Sequence, residues 1–113
     1  MCVAVGCSNG PKPPKDLISK GKMVAFLVDL HITEVKVQNL GIKADSVKKV
    51  FSILEADLFN QHQFADSVYI DSYHYYVEQP SIMEEMYTAV LDTLSLRRDI
   101  AEAAEKKKKP TTE

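Results

Sequence analysis

Carboxylates and imidazoles at helical spacing are the groups in this 113-residue sequence that could do chemistry. In Asp29-Leu30-His31-Ile32-Thr33-Glu34, His31 and Glu34 stand three apart and share a helix face; Asp71, His74 and Glu78 share another by the same spacing. Such groups projecting into a helical bundle build di-metal centres, but that design takes Glu-x-x-His from two helices and a further Glu from each of two more. Here the first pair runs in the reverse order and the second has Asp in place of Glu. A small metal-dependent enzyme using His31/Glu34 and Asp71/His74/Glu78 is therefore the alternative reading. The main expectation for His31 is a half-buried position on the core side of the first helix, held by a tyrosine hydroxyl or a carboxylate. Asp29 and Glu34 are expected on a solvated face or paired with Lys, His74 on the outer face of the third helix, and His62 in a loop. Adjacent Glu84 and Glu85 point in different directions and make a poor acid/base pair. No nucleophile elbow, Gly-rich phosphate loop or Cys/His grid can be read. Neither a catalytic residue nor a metal or other cofactor is expected, and the protein is read as a non-enzyme.

The thiols suggest a different chemistry. Residues 1–7, Met1-Cys2-Val3-Ala4-Val5-Gly6-Cys7, are apolar or small and stop abruptly at the polar, Pro-rich stretch 8–15. Ala4-Val5-Gly6-Cys7 has the form of a lipobox at the end of a bacterial lipoprotein signal peptide, so Cys7 is the expected lipidation site. Only six residues precede Cys7, without the basic start and apolar core of a full signal. Either the signal extends upstream of Met1, or the segment is an apolar terminus and the protein a cytosolic helical adaptor. Cys2 and Cys7 lack the second pair or nearby His that a zinc site needs.

Charge is segregated along the chain. The formal total of −2 combines +4 over residues 8–49, −8 over 50–96, where there is no Lys or Arg, and +2 over 97–113. Four of the five tyrosines, Tyr69, Tyr73, Tyr75 and Tyr76, lie within eight residues of that acidic middle. Most are expected in the core or at its rim, where one end stays wet. Their functional reading is an aromatic, Lys-free face that grips an envelope protein or a glycan. Aromatics set among carboxylates argue against nucleic acid, and Lys106 to Lys109 read as a solubilising tail.

The elements that must position these residues are helical throughout. Ser19 is the expected N-cap of a first helix in which Leu27, Leu30 and Glu34 fall three and four apart beside Val24, Val28, His31 and Val35, closed by Gly41. A second helix starts at Asp45 or Ser46, turns Val47, Val50, Phe51, Leu54 and Leu58 inward, and ends near Asn60. Asp66 or Ser67 caps a third, and Pro80 suits the first turn of a fourth whose broad apolar face is Met83, Met86, Tyr87, Val90, Leu91 and Leu94. The fold class is all-α, a small bundle of three to four helices. It divides into a signal remnant (1–7), a disordered Pro-rich tether (8–15), the helical domain (16–96) and a Lys-rich helical extension and tail (97–113). Lys20, Lys22, Lys36, Lys48 or Lys49 should face carboxylates of the acidic middle across the bundle.

Pro13-Pro14-Lys15-Asp16-Leu17-Ile18-Ser19, the run Leu27 to Glu34, Phe64-Ala65-Asp66-Ser67, Ser72-x-x-Tyr75-Tyr76-x-x-x-Pro80 and Met86-Tyr87-x-x-Val90-x-x-x-Leu94 together resemble the Bacteroidota lipoproteins catalogued as domain of unknown function 4296. The resemblance runs from about Cys7 to Leu96. It implies a lipoprotein of the cell envelope with a small helical domain and no established activity. It also marks Asp29, His31, Glu34, Ser72, Tyr76 and Pro80 as motif residues of unknown role. With Ser8 following the Cys, the expected address is the outer membrane, facing the periplasm, with the membrane met through a lipid on Cys7.

Overall fold

The computed structural model describes residues 11–108, in which four helices and no strand occur. α1 spans Lys20–Gln38, α2 Ala44–His62, α3 Asp66–Val77 and α4 Pro80–Lys108. The all-α bundle expected from the periodicity is the observed fold. Cys7, the expected signal remnant and the end of the tail lie outside the described residues.

Local signals explain most of the boundaries. The Ser19 hydroxyl accepts from the Lys22 amide at 3.3 Å and caps α1 as expected. α1 ends at Gln38 with Asn39 as its C-cap, and Gly41 takes the left-handed φ of +71° that lets the chain turn back into α2. α2 begins at Ala44, a residue earlier than Asp45, and Asp45 lies in its first turn, where its charge suits the helix dipole. It also runs past Asn60 to His62, so His62 is helical and not in a loop. The turn comes at Gln63, a non-glycine residue at φ 63°. α3 is capped by Ala65, not by Asp66 or Ser67: Ala65 has the extended backbone, its carbonyl receives the Tyr69 amide at 3.1 Å, and Asp66 falls inside the first turn. Pro80 opens α4, where its missing amide proton costs nothing.

Contacts between helices fix their directions. Lys20 meets Glu85 at 3.2 Å and Asp29 meets Arg97 at 3.3 Å, so α1 and α4 run parallel. The first pair is of the kind expected between the basic first third and the acidic middle; both groups are largely exposed, so it contributes about 0–1 kcal/mol. α2 returns along α1 as a hairpin, and α3 continues in the same direction, with Tyr69 against Phe26 and Tyr76 against Ile18. The main core joins Ile18, Met23, Leu27, Val28, Tyr76, Met83, Met86 and Val90, drawn from the approach to α1 and from α1, α3 and α4. α4 continues as helix beyond that core, with every residue from Ser95 to Lys108 exposed, so the expected polar extension is continuous with the fourth helix.

Candidate functional site

Three arrangements use the residues singled out above. The first is a clamp on the chain just before α1. Ser72 and Tyr76, one helical turn apart on α3, both reach Ile18: the Ile18 amide donates to Ser72 Oγ at 3.0 Å, and the Tyr76 hydroxyl donates to the Ile18 carbonyl at 2.7 Å. Ser72 is fully buried, Tyr76 is 4% exposed and Ile18 6%. Buried backbone groups outside regular structure need such partners, so α3 satisfies what neither helix nor sheet can. The rest of the segment runs beside the same helix. Pro14 shares a small hollow with Val68 and Asp71, and Pro11 and Lys12 border a second one with His74, Tyr75 and Glu78. Residues 11–18 therefore form a strap along one flank of α3. Burial, ahead of the neighbouring Tyr75, raises the Tyr76 phenol above its ordinary pKa, with Lys20 opposing.

A charge node forms the second arrangement. His62 Nε2 lies 2.8 Å from Asp29 Oδ2, and Arg97 donates to Asp29 Oδ1 at 3.3 Å. Asp29 therefore links α1 to α2 and α4 through two cationic or hydrogen-bonding side chains instead of pairing with Lys. The His62 ring also meets the edge of Phe26 at 5.2 Å. His31, expected toward the core, is part-exposed and stands 3.7 Å from Glu34 of its own helix. Val28, one turn earlier, holds the buried position. His74 is exposed on the outer face of α3, as expected, beside Asp71 and Glu78. Among the described residues, no three His, Cys, Asp or Glu side chains come close enough together to hold a metal ion.

The third arrangement is a tyrosine seam between α3 and α4. Four tyrosines within eight residues cannot share one face of a helix, and the structure divides them. Tyr76 is inside the clamp, which takes it out of the expected contact face, and Tyr75 borders the strap. Tyr69 and Tyr73 lie on the opposite flank, with ring centroids 5.9 Å apart. Tyr87 of α4 joins them: interaction with its hydroxyl, ahead of burial, raises the Tyr73 phenol above its ordinary pKa. Around this seam Ile70 is 48% exposed, Val77 44%, Tyr87 39% and Leu91 62%. Sequence reasoning missed Tyr87 as a seam residue because only the crossing of α3 on α4 brings it there. Its spacing from Leu91 and Leu94 was the available signal.

Tyr69 yields a pH prediction. Burial first, then the charges of Tyr73, Glu55 and Tyr87, push its phenol up to about 12. An unfolded tyrosine ionises near pH 10, so the folded state holds this proton where the unfolded state has lost it. The stabilisation is complete below pH 10 and is lost as pH rises from about 10 to 12. Two pKa units correspond to roughly 2.7 kcal/mol for a fully buried group; screening at this half-buried ring reduces that to about 1 kcal/mol. Urea midpoints measured from pH 9 to 12 should fall, and Tyr69→Phe should make the fall shallower by that amount. An unchanged slope in the variant would refute the assignment.

Comparison with known proteins gives one match. A family model described as "Domain of unknown function (DUF4296)" matches residues 14–100. No curated protein and no solved structure matches.

Proposed function

This chain belongs to the DUF4296 family, and from that premise we propose that it is a lipid-anchored binding module of the cell envelope, held to a membrane through Cys7 and engaging an envelope protein or glycan. The observation that carries the binding role is the seam itself. Tyr73 and Tyr87, flanked by exposed Ile70, Val77 and Leu91, offer aromatic and aliphatic surface within a stretch free of Lys and Arg. Tyrosine gives a contact area of low conformational cost with a polar tip, and is enriched where proteins meet partners. The seam holds no ordered nucleophile and base, which favours binding over catalysis. The anchor rests on Ala4-Val5-Gly6-Cys7, with the outer membrane, periplasmic side, as the address.

Two measurements test the two halves separately. Cys7→Ala in the full-length gene product should abolish fatty-acid labelling and move the protein out of the detergent phase. Unchanged partitioning would end the anchor reading. A photoreactive phenylalanine analogue in place of Tyr87 should give a discrete crosslinked product in envelope preparations, which Tyr73→Ser diminishes several-fold. Crosslinking of equal strength from exposed Ile53 on α2 would show that the seam has no special part.

A further inference from the structure

The strap and the tyrosine seam lie on opposite flanks of α3. On a helix with 3.6 residues per turn, Asp71, His74, Tyr75 and Glu78, which border the strap, project to the side away from Tyr69 and Tyr73. The strap is fixed at its inner end by the two buried hydrogen bonds from Ile18 to Ser72 and Tyr76, and three prolines at 11, 13 and 14 restrict its backbone further. Three residues lie between Cys7 and Pro11, so four Cα-to-Cα steps join them. At the extended limit of roughly 3.3–3.6 Å per residue, that is a reach of about 14 Å.

We propose that the strap is a short, rigid mount that turns the His74/Glu78 side of α3 toward a lipid headgroup layer and the Tyr73/Tyr87 seam away from it. The proposal rests on the reading of Cys7 as the anchor. A freely jointed linker would let a lipid on Cys7 present the domain in any orientation; a Pro-rich segment held to α3 at Ile18 and running beside that helix back to Pro11 restricts the choice. The same clamp gives Ser72 and Tyr76 a purpose beyond packing. They transmit the position of the anchor to the helix that carries half of the binding face, leaving the seam accessible to a partner approaching from the aqueous side.

The mount is tested first on unlipidated full-length protein carrying Cys2→Ser and a nitroxide on Cys7. Amide signals of Asp71, His74 and Glu78 should lose most of their intensity, while those of Leu91 and of Gly41 at the hairpin tip should be retained. In the Ser72→Ala/Tyr76→Phe protein the loss should spread over the surface. If that pair of changes prevents folding, Pro11→Gly/Pro13→Gly/Pro14→Gly provides the loosened strap without touching the core. Broadening already spread over the surface with the strap intact would overturn the proposal. The orientation is tested next by coupling Cys7 of the same Cys2→Ser protein chemically to a maleimide lipid in phosphatidylcholine vesicles, so that the result does not depend on lipidation in the cell. Diethyl pyrocarbonate should modify His74 several-fold more slowly on vesicles than in solution, with nitration of Tyr87 unchanged. Equal slowing at both residues, or none at His74, would refute the orientation, whereas the anchor reading stands or falls with fatty-acid labelling of Cys7.

Discussion

Phe26→Ala is expected to lower the stability of the domain by about 3–5 kcal/mol, the usual cost of emptying a fully buried aromatic site. Phe26 is 0% exposed, and its ring centroid lies 5.0 Å from Phe59, 5.2 Å from His62, 5.2 Å from Phe64 and 4.9 Å from Tyr69. One side chain of α1 thus touches α2, the α2–α3 turn and α3, and no neighbour can collapse into its place without leaving its own helix. Against a total of about 5–15 kcal/mol for a small domain, the loss should appear as a large fall in the urea midpoint. Ile53→Ala, at a site 69% exposed, is the control and should stay within about 0.5 kcal/mol of the parent. A cost below 1 kcal/mol for Phe26→Ala would mean that the aromatic cluster does not join the helices energetically.

Tyr76→Phe and Ser72→Ala should cost about 1–3 kcal/mol each, because each leaves one buried backbone group of Ile18 without a partner. Their effects should not be additive. Once one hydrogen bond is lost the strap can lift and let water reach the other, so the double variant should fall short of the sum of the singles. A double-mutant cycle in urea measures this coupling. Strict additivity would show that the two bonds act independently and that the strap does not move as a unit.

Much of the fold was legible because helical periodicity and end signals are local. Ser19, Gly41 and Pro80 mark helix ends with the chemistry that helix ends require; of the apolar face expected on α4, Met83, Met86 and Val90 are buried, whereas Tyr87 and Leu91 are exposed because α1 and α3 cover only part of it. The departures have physical reasons too. Ala65 displaces Asp66 and Ser67 as the cap of α3 because capping geometry is set by how the chain leaves Gln63, a residue in a conformation that its type does not advertise. His62 read as a loop residue because the apolar stripe of α2 fades before it, yet Asp29 and Phe26 hold it in the last turn. Ser72 and Tyr76 could be singled out as motif residues, but their role depends on a backbone group more than fifty positions away. No pattern within α3 encodes that partner. The seam was half visible: Tyr69 and Tyr73 were on the candidate face from the outset, whereas Tyr87 needed the packing of α3 on α4.

The uneven distribution of core residues also has a kinetic side. The main buried cluster draws on the strap, α1, α3 and α4 but takes nothing from α2, which is held mainly along α1 and through Phe59 and His62 at its C-terminal end. Within α2, the half from Ala44 to Ile53 holds no fully buried residue and has less to lose by opening than the end that carries Leu58. Amide protons there should exchange with solvent through brief local excursions in which the hairpin tip frays, while those of α1, α3 and the first half of α4 wait for the whole domain to unfold. The domain would then breathe at the end remote from the strap while the Tyr73/Tyr87 seam remains still.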